Sequence, residues 1–246
     1  MNLNSEEAER YEWQLWTPGF GVSEQLRLKS ATVFISRVGG VGGTVAMQLA
    51  AAGVGTLILA HGGTLRRNDL NRQMLMHSER IGQARTLQAA ERIHQINPNT
   101  RVILHETNVD AGNIDKLSAA SDLLVSAAPL FEERLAINAA AVSRGVPVLH
   151  CAMYDLEASV LATRPKLTAC LSCMSPQPPD WWKREFPVFG AVAGTAGSIA
   201  AMYAIQILTG LGDDPCGKLT AIDFRTGRFR TLKVARDPSC PVCGHS

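Results

Sequence analysis

Short apolar runs alternate with longer helical segments over the first 151 residues. Unbroken apolar runs predict strands buried on both faces, at 31–36 (ATVFIS), 56–60 (TLILA), 101–106, 122–125 and 147–151. Helical segments are predicted at 3–10, from the glycine cluster 39–43 to Ala52, at 83–96 and at 131–144. This alternation predicts an α/β fold with a doubly wound, mostly parallel sheet of Rossmann type.

The pattern changes after residue 151. A strand is predicted at 156–163, a long mobile loop at 174–189, a Gly/Ala-rich helix at 190–209, and an antiparallel pair at 218–224 and 228–235. Arg225-Thr226-Gly227 is the turn of that pair. We therefore expect one domain over 1–246, with an N-terminal helical segment (1–30), a Rossmann-like half (31–151) and a second half (152–246) that carries the antiparallel extension.

Composition narrows the class of protein. The 246 residues are 46% apolar and 19% charged, with a formal net charge of +2. This balance favours neither nucleic acid nor a membrane surface as a partner. No uninterrupted apolar run reaches the roughly 18 residues of a membrane span, and the polar, acidic N-terminus does not resemble a secretory signal. We expect a cytoplasmic protein.

Four of the six cysteines form two close pairs, Cys170/Cys173 and Cys240/Cys243. Two C-x2-C pairs supply the four soft ligands of a tetrahedral zinc site, and all four positions are filled by protein. The pairs predict a closed, structural zinc knot that ties the C-terminal tail to the end of the sheet. Cys151 and Cys216 are single, and we interpret them as small core residues.

The segment Arg37-Val-Gly39-Gly40-Val-Gly42 lies between a predicted strand and a predicted helix. Backbone amides in such a loop can hold phosphate. A dinucleotide-binding site also needs an acidic residue at the end of the second strand, where this chain has His61. A dehydrogenase is therefore disfavoured.

Several further motifs follow in order along the chain. They are Arg10-Tyr11-x-x-Gln14, Ala52-Gly53-Val54-Gly55, Asp69-Leu70-Asn71-Arg72-Gln73, Ile81-Gly82-Gln83, Ile96-Asn97-Pro98, and Gly217-Lys218 through Asp223. With the glycine loop and the cysteine pairs, this set resembles the ThiF/MoeB/HesA family, the prokaryotic relatives of ubiquitin-activating enzymes. The resemblance covers nearly the whole chain.

The resemblance implies a function. Members of this family bind MgATP and adenylate the C-terminal carboxylate of a ubiquitin-like sulfur carrier, and some adenylate a peptide or a small acid instead. Their second half binds the carrier, beneath a crossover loop that matches 174–189 here. Retained positions that would bind a nucleotide or another anion are Arg37, Gly39, Gly40, Gly42, His61, Asp69, Arg72 and Arg85.

The departures from the family cluster at its catalytic centre. Trp13 replaces an arginine that reaches the partner subunit's phosphates, and His61 replaces the aspartate that holds the ATP ribose. Gly63 replaces a second aspartate, and Arg85 replaces a lysine. Ser126-Ala127-Ala128-Pro129 stands where a magnesium-binding aspartate is expected. Because one lost electrostatic group costs on the order of a hundredfold in rate, bound ATP and magnesium are doubtful.

Three hypotheses follow. The first is a non-catalytic subunit or scaffold, as a homodimer or as a heterodimer with an active paralogue, that serves an adenylating partner or a ubiquitin-like carrier. The second is an active adenylyltransferase whose pocket is rewired around Arg37, Arg72 and Arg85. The third, a peptide-recognition module, is disfavoured because the family motifs begin at Arg10. Arg37 could fill the phosphate cradle, grip an anion or point to solvent. Trp181 and Trp182 could contact a partner or pack over the sheet edge.

Overall fold

The computed structural model of the chain describes residues 2–244 and contains one sheet of eight strands. Their bounds are β1 (Thr32–Ser36), β2 (Thr56–Ala60), β3 (Arg101–His105), β4 (Leu123–Ser126), β5 (Val148–Tyr154), β6 (Glu157–Thr163), β7 (Lys218–Asp223) and β8 (Arg228–Lys233). The order across the sheet is β3-β2-β1-β4-β5-β6-β7-β8. Neighbours from β3 to β5 are parallel and those from β5 to β8 antiparallel, which confirms the predicted fold class.

Helices cover both faces of the parallel part of the sheet. Their bounds are α1 (Ser5–Arg10), α2 (Glu12–Leu15), α3 (Val22–Ser30), α4 (Gly40–Ala52), α5 (Arg85–Ile96), α6 (Ile114–Leu117), α7 (Phe131–Arg144), α8 (Leu171–Met174) and α9 (Gly190–Thr209). Two short 3-10 helices span Arg67–Asp69 and Ser78–Arg80. Val33 and Ile35 of β1 pack with the cluster that includes α4 and α9, whereas Phe34 packs with α6 and α7. This alternation follows from the two-residue period of a strand.

The helix α9 is, within residues 2–244, the one helix that is long and apolar enough to cross a membrane. Its small residues instead pack against α4 and against β5 and β6. A Cβ atom at Gly197 would lie 2.6 Å from the Cβ atom of Thr44, so the two helices approach closely. Ala193, Ala196 and Ala200 are fully buried on this face. The small-residue face of α9 is therefore part of the core.

Two groups of local elements differ from the prediction. The strand expected to end at residue 151 continues to Tyr154, because β5 and β6 form a hairpin whose last pair is Tyr154–Glu157. The helices α6 and α8 were not predicted, since four residues are too few to show a helical period.

The N-terminal motif anchors the first helices to the body of the domain. The Asn97 side chain donates to the Tyr11 hydroxyl at 2.9 Å and to the Ala50 carbonyl at 2.8 Å. Gln14 donates to the carbonyl of Ala52 at 3.2 Å. Tyr11, Gln14 and Asn97 thus join the N-terminal segment to the ends of α4 and α5, which is a structural role for three residues of the family motifs.

The strands β1 and β4 are neighbours, although the segments that leave them turn to opposite faces of the sheet. In doubly wound sheets, a crevice opens at the carboxyl ends of two such strands and binds ligands. The glycine loop after β1 and the segment Ser126-Ala127-Ala128-Pro129 after β4 therefore meet at one place.

Candidate nucleotide or anion site and thiol cluster

A cavity of about 310 Å³ opens at this crevice. Gly39, Gly40, His61 and Gln73 line it together with Ala127, Ala128 and Pro129. Its lining also includes six arginines, which are Arg37, Arg66, Arg72, Arg85, Arg134 and Arg184. Of the eight residues predicted to bind a nucleotide or anion, all but Gly42 line this cavity. The sequence-based assignment of site residues thus converges on one place.

Arg37 adopts a left-handed backbone conformation, with a φ of 64°. A side chain with a Cβ atom adopts this conformation at a cost of about 1 kcal/mol or more. Gly42 cannot be replaced at this turn, because a Cβ atom there would lie 2.2 Å from the carbonyl oxygen of Arg37. The glycine loop therefore keeps its fold, with an arginine at the position where glycine is expected.

The guanidinium of Arg37 is buried and paired with Glu133, a residue of the first turn of α7. Its Nε and Nη2 atoms donate to the same carboxylate oxygen, Oε2, at 2.8 and 2.7 Å. The side chains of Arg37 and Glu133 are only 7% and 3% exposed, so Arg37 does not point to solvent. Burial raises the pKa of Glu133 and outweighs the opposing effect of Arg37. The other carboxylate oxygen, Oε1, has no hydrogen-bond partner among residues 2–244.

Asp69 is the second buried carboxylate at the cavity. One of its oxygens accepts from the Arg66 backbone amide at 2.9 Å and from Arg85 Nη2 at 2.5 Å. The other accepts from Arg72 Nη2 at 3.3 Å. Burial opposes ionisation, but the hydrogen bond from Arg85 and the nearby charges lower the pKa of Asp69 below its ordinary value. Asp69 is therefore ionised and forms ion pairs with two arginines, Arg72 and Arg85.

His61 lies at the end of β2, where the family has its ribose-binding aspartate. Burial, followed by the charges of Arg85 and Arg37, lowers the pKa of His61 to about 3. The imidazole is therefore neutral at pH 7. Within the described part of the chain, its Nδ1 atom has no hydrogen-bond partner, and the same holds for Gln73 Oε1 and Arg85 Nε. Three buried side chains at this cavity thus have unused hydrogen-bonding atoms.

The segment after β4 contributes no carboxylate. The side chains of Ala127, Ala128 and Pro129 line the cavity, and all three are apolar. Mg²⁺ is held in proteins by oxygen ligands, usually one or two carboxylates together with phosphates. Asp69 and Glu133 are each paired with arginines, so a cation would have to compete with guanidinium groups for these carboxylates. Glu133 is not among the residues predicted from the sequence. Its place in the first turn of the helix after β4 was the signal that it reaches the crevice.

The segment 174–189 lies across the entrance of this cavity. Trp182 donates its indole N–H to the carbonyl of Pro129 at 2.6 Å and meets the Phe131 ring edge to face at 5.2 Å. The Arg134 guanidinium lies 5.9 Å from the Trp182 ring centre and donates to the carbonyl of Ala128. Burial lowers the pKa of Arg134 to about 10. Trp182 therefore packs over the sheet edge, whereas Trp181 is mostly exposed.

A second cavity of about 450 Å³ lies on the open face of β5 to β8. Ala152, Ser159 and Ala221 form its floor, and Arg228 and Arg230 lie at its edge on β8. The lining of both cavities includes Met153. The two cavities are therefore adjacent, and Trp182 lies beside the boundary between them.

The four paired cysteines come together, as predicted. The Sγ atoms of Cys170 and Cys240 are 3.7 Å apart, and those of Cys173 and Cys243 are 3.4 Å apart. All four Sγ atoms lie within 4.8 Å of one another. A tetrahedral Zn²⁺ with Zn–S bonds of about 2.3 Å would separate its sulfurs by about 3.8 Å. The cluster therefore fits a metal ion of this size.

The thiol cluster is joined to α7 by the buried side chain of Asn138. Asn138 accepts a hydrogen bond from the backbone amide of Leu171 at 2.9 Å and donates to the Ser172 hydroxyl at 3.1 Å. Its amide nitrogen also lies 3.5 Å from Cys170 Sγ.

Cys151, by contrast, is buried on β5, and burial raises its pKa to about 12. The prediction that Cys151 is a core residue is confirmed.

Trp13 lies outside the cavity of its own chain. The Trp13 side chain is 81% exposed and stacks on Trp16, with ring centres 6.0 Å apart. Neither Trp13 nor Trp16 supplies the positive charge of the arginine that is expected at this position.

Comparison with known proteins supports the sequence-based resemblance. The ThiF family model matches residues 11–242. Protein HesA, heterocyst, from Trichormus variabilis is 42% identical over 245 residues, which span 100% of this chain and 92% of that protein. The sulfur carrier protein adenylyltransferase of Thermus thermophilus is 33% identical over 99% of this chain and 93% of that protein. The crystal structure of E. coli MccB with MccA-N7isoASN superposes with a TM-score of 0.87 at 25% identity, over 96% of this chain and 75% of that one.

Proposed function

The chain belongs to the ThiF family, and on that premise we propose that it is a non-catalytic member, a subunit or scaffold that binds a carrier protein or peptide without adenylating it. One observation carries the proposal. Asp69, the buried carboxylate that lines the cavity, is bound by Arg85, its buried neighbour Glu133 is bound by Arg37, and the segment after β4 offers no carboxylate. Adenylation in this family needs a magnesium ion at the phosphates, and such an ion needs carboxylate oxygen.

The open face of β5 to β8 supports the binding half of the proposal. A relative with 33% identity is named for a sulfur carrier protein, and a solved structure of the same fold holds a peptide derived from MccA. The floor of the second cavity is made of small residues, so a partner's chain can approach the sheet closely. Arg228 and Arg230 lie at this cavity together with the carboxylates of Glu157 and Asp223, so its lining carries charges of both signs in equal number.

The zinc knot belongs to this proposal as its structural element. Four thiolates in a closed tetrahedral arrangement favour Zn²⁺ over hard cations. The ion would be held by Cys170, Cys173, Cys240 and Cys243, and it would fasten the C-terminal segment beside α7 without taking part in chemistry.

ATP–pyrophosphate exchange tests the catalytic half of the proposal. Purified chain is assayed with MgATP and either a ubiquitin-like sulfur carrier or a short peptide, and the Thermus sulfur carrier adenylyltransferase with its own carrier serves as the positive control. We expect no exchange above background. Magnesium-dependent exchange would overturn the proposal in favour of an active adenylyltransferase with a rewired pocket.

Calorimetric titration of the same carriers tests the binding half. Ala221→Arg places a long side chain on the floor of the second cavity, and we expect it to weaken carrier binding at least tenfold. Thr231→Arg is the matched control, because Thr231 pairs with Thr220 and faces the α9 side of the sheet. Equal affinity of both variants and the unaltered chain would remove the open face from the proposal.

A further inference from the structure

The thiol cluster would place excess negative charge inside the protein when it holds a metal ion. Four thiolates carry more negative charge than one divalent zinc ion neutralises. Cys170, Cys240 and Cys243 are each 2% exposed or less, and Cys173 is half-buried. Buried charge is stable only where hydrogen-bond donors or opposite charges compensate for it. The sulfurs of this cluster therefore need donors from the protein around them.

Asn138 on α7 directs every polar atom of its side chain at one end of the cluster. Its oxygen accepts from the Leu171 amide at 2.9 Å, and its nitrogen donates to Ser172 Oγ at 3.1 Å and to Cys170 Sγ at 3.5 Å. The orientation of this amide group is fixed, because the Leu171 amide is a donor and must meet the oxygen. The Asn138 side chain is completely buried, so water does not compete for these bonds.

The two cysteines of the first pair receive their N–H donors in different ways. Cys170 has the side-chain amide of Asn138, whereas Cys173 accepts from the backbone amide of Asp237 at 3.5 Å. A backbone donor remains whichever side chain is substituted. The donor to Cys170 depends on the identity of residue 138, so its contribution can be measured by substitution.

We propose that Asn138 is a positioning residue of the metal site, whose N–H group donates to the Cys170 thiolate and thereby raises the affinity of the four cysteines for zinc. This inference rests on the zinc site of the proposed function. The donor offsets negative charge on the sulfur and fixes the direction from which the sulfur approaches the ion. Removing such an outer hydrogen-bond partner of a metal ligand typically lowers metal affinity by about 10–100-fold.

Two substitutions at residue 138 separate this role from a purely structural one. Asn138→Asp keeps an acceptor for the Leu171 amide but has no N–H donor for Cys170, whereas Asn138→Ala removes both. Ser172→Ala is the matched control, because it removes the other acceptor of the Asn138 amide and leaves the bond to Cys170 in place. A residue that served only to hold the Leu171 amide would tolerate aspartate.

Competition with a chromogenic chelator measures the zinc affinity of the full chain and of each variant. We expect both substitutions at residue 138 to weaken zinc binding by at least about tenfold, and Ser172→Ala to change it by less than about threefold. Circular dichroism of the zinc-loaded variants checks that they are folded. If Asn138→Ala does not fold, Asn138→Asp still tests the affinity, since it keeps the acceptor for Leu171.

Cobalt in place of zinc provides a readout that a purely structural role would not change. A thiolate that has lost its N–H donor gives more electron density to Co²⁺, so the thiolate-to-cobalt charge-transfer band of Asn138→Ala should move to longer wavelength. Alanine is uncharged, so this shift cannot come from a new carboxylate beside the sulfur. Ser172→Ala should leave the band where it is in the unaltered chain.

Three results would overturn the inference: unchanged zinc affinity in Asn138→Asp, an unmoved cobalt band in Asn138→Ala, or a loss of affinity in Ser172→Ala as large as that in Asn138→Asp. If the unaltered chain binds zinc and residue 138 has no effect, only the role of Asn138 is refuted, and the zinc site stands. A folded chain that takes up neither zinc nor cobalt would refute the zinc site and this inference together.

Discussion

Replacing Arg37 with glycine has two opposing effects on stability, one through the backbone of residue 37 and one through the buried ion pair of Arg37 with Glu133. Replacing Arg37 with glycine relieves the left-handed backbone strain, which stabilises the fold by about 1 kcal/mol. The same change leaves Glu133 buried without its partner, and breaking a buried pair on one side costs about 3–5 kcal/mol. We therefore expect Arg37→Gly to lower the free energy of unfolding by about 2–4 kcal/mol at pH 7.

The double variant Arg37→Gly/Glu133→Gln removes the uncompensated charge while keeping the side-chain shape. We expect it to recover most of the lost stability, so that the pair shows a coupling energy of about 2 kcal/mol or more in a double-mutant cycle. The exposed pair of Arg80 and Glu91 is the control, and Arg80→Ala should cost less than about 1 kcal/mol. Urea unfolding followed by circular dichroism measures the unaltered chain, the double variant and the three single variants Arg37→Gly, Glu133→Gln and Arg80→Ala.

The pH dependence of Arg37→Gly gives an independent check. Burial already raises the pKa of Glu133 in the unaltered chain, and removal of the guanidinium raises it further. Below the ordinary carboxyl pKa of 4.5, Glu133 is protonated in both the folded and the unfolded chain, and the penalty disappears. The penalty grows as the pH rises above 4.5 toward the raised value. An Arg37→Gly variant as stable as the unaltered chain at pH 7, with no such dependence, would refute the reasoning.

Three further predictions concern the thiol cluster, its neighbour Asn138, and His150 on β5. Metal analysis should find about one zinc per chain, and Cys173→Ser or chelation should lower the melting temperature; well under one zinc in carefully prepared protein would refute the knot. Asn138→Leu should cost about 2–4 kcal/mol in urea unfolding, because the Leu171 amide loses its buried acceptor, whereas Asn99→Leu on the surface should cost less than about 0.5 kcal/mol. Burial lowers the pKa of His150 to about 3, so the unfolded chain binds more protons between pH 6.5 and 3 and stability falls as the pH drops; His150→Leu should flatten that part of the curve.

Sequence patterns were sufficient for the sheet and for the thiol cluster because both depend on short-range signals. Unbroken apolar runs identify strands buried on both faces, and a C-x2-C pair carries its own geometry. The end of β5 could not be predicted in this way. Residues beyond 151 are strand because β6 pairs with them, and that pairing depends on the hairpin at Asp155, which has a φ of 53°.

The orientation of the Arg37 side chain could not be predicted from the sequence either. Three orientations were compatible with an arginine at a glycine position, and they differ only in where a partner lies. The partner is Glu133, 96 residues away in the chain, and it reaches Arg37 because β1 and β4 are neighbours in the sheet. Sequence separation says nothing about such a contact until the strand order is known. A glutamate in the first turn of the helix after β4 was a usable signal once that order was assumed.

The arginine in the glycine loop and the missing carboxylate after β4 are best understood as parts of one arrangement. A guanidinium buried at the end of β1 needs a counter-charge, and Glu133 supplies it. Any carboxylate placed after β4 would lie beside Arg37 and Arg134 and would pair with them before it met a cation. A magnesium ion at this crevice would therefore compete with Arg37 and Arg134 for any such carboxylate. Because Arg37 and Arg85 already occupy Glu133 and Asp69, the arginine in the glycine loop and the absence of a carboxylate after β4 favour the same outcome, a crevice in which guanidinium groups outnumber carboxylates.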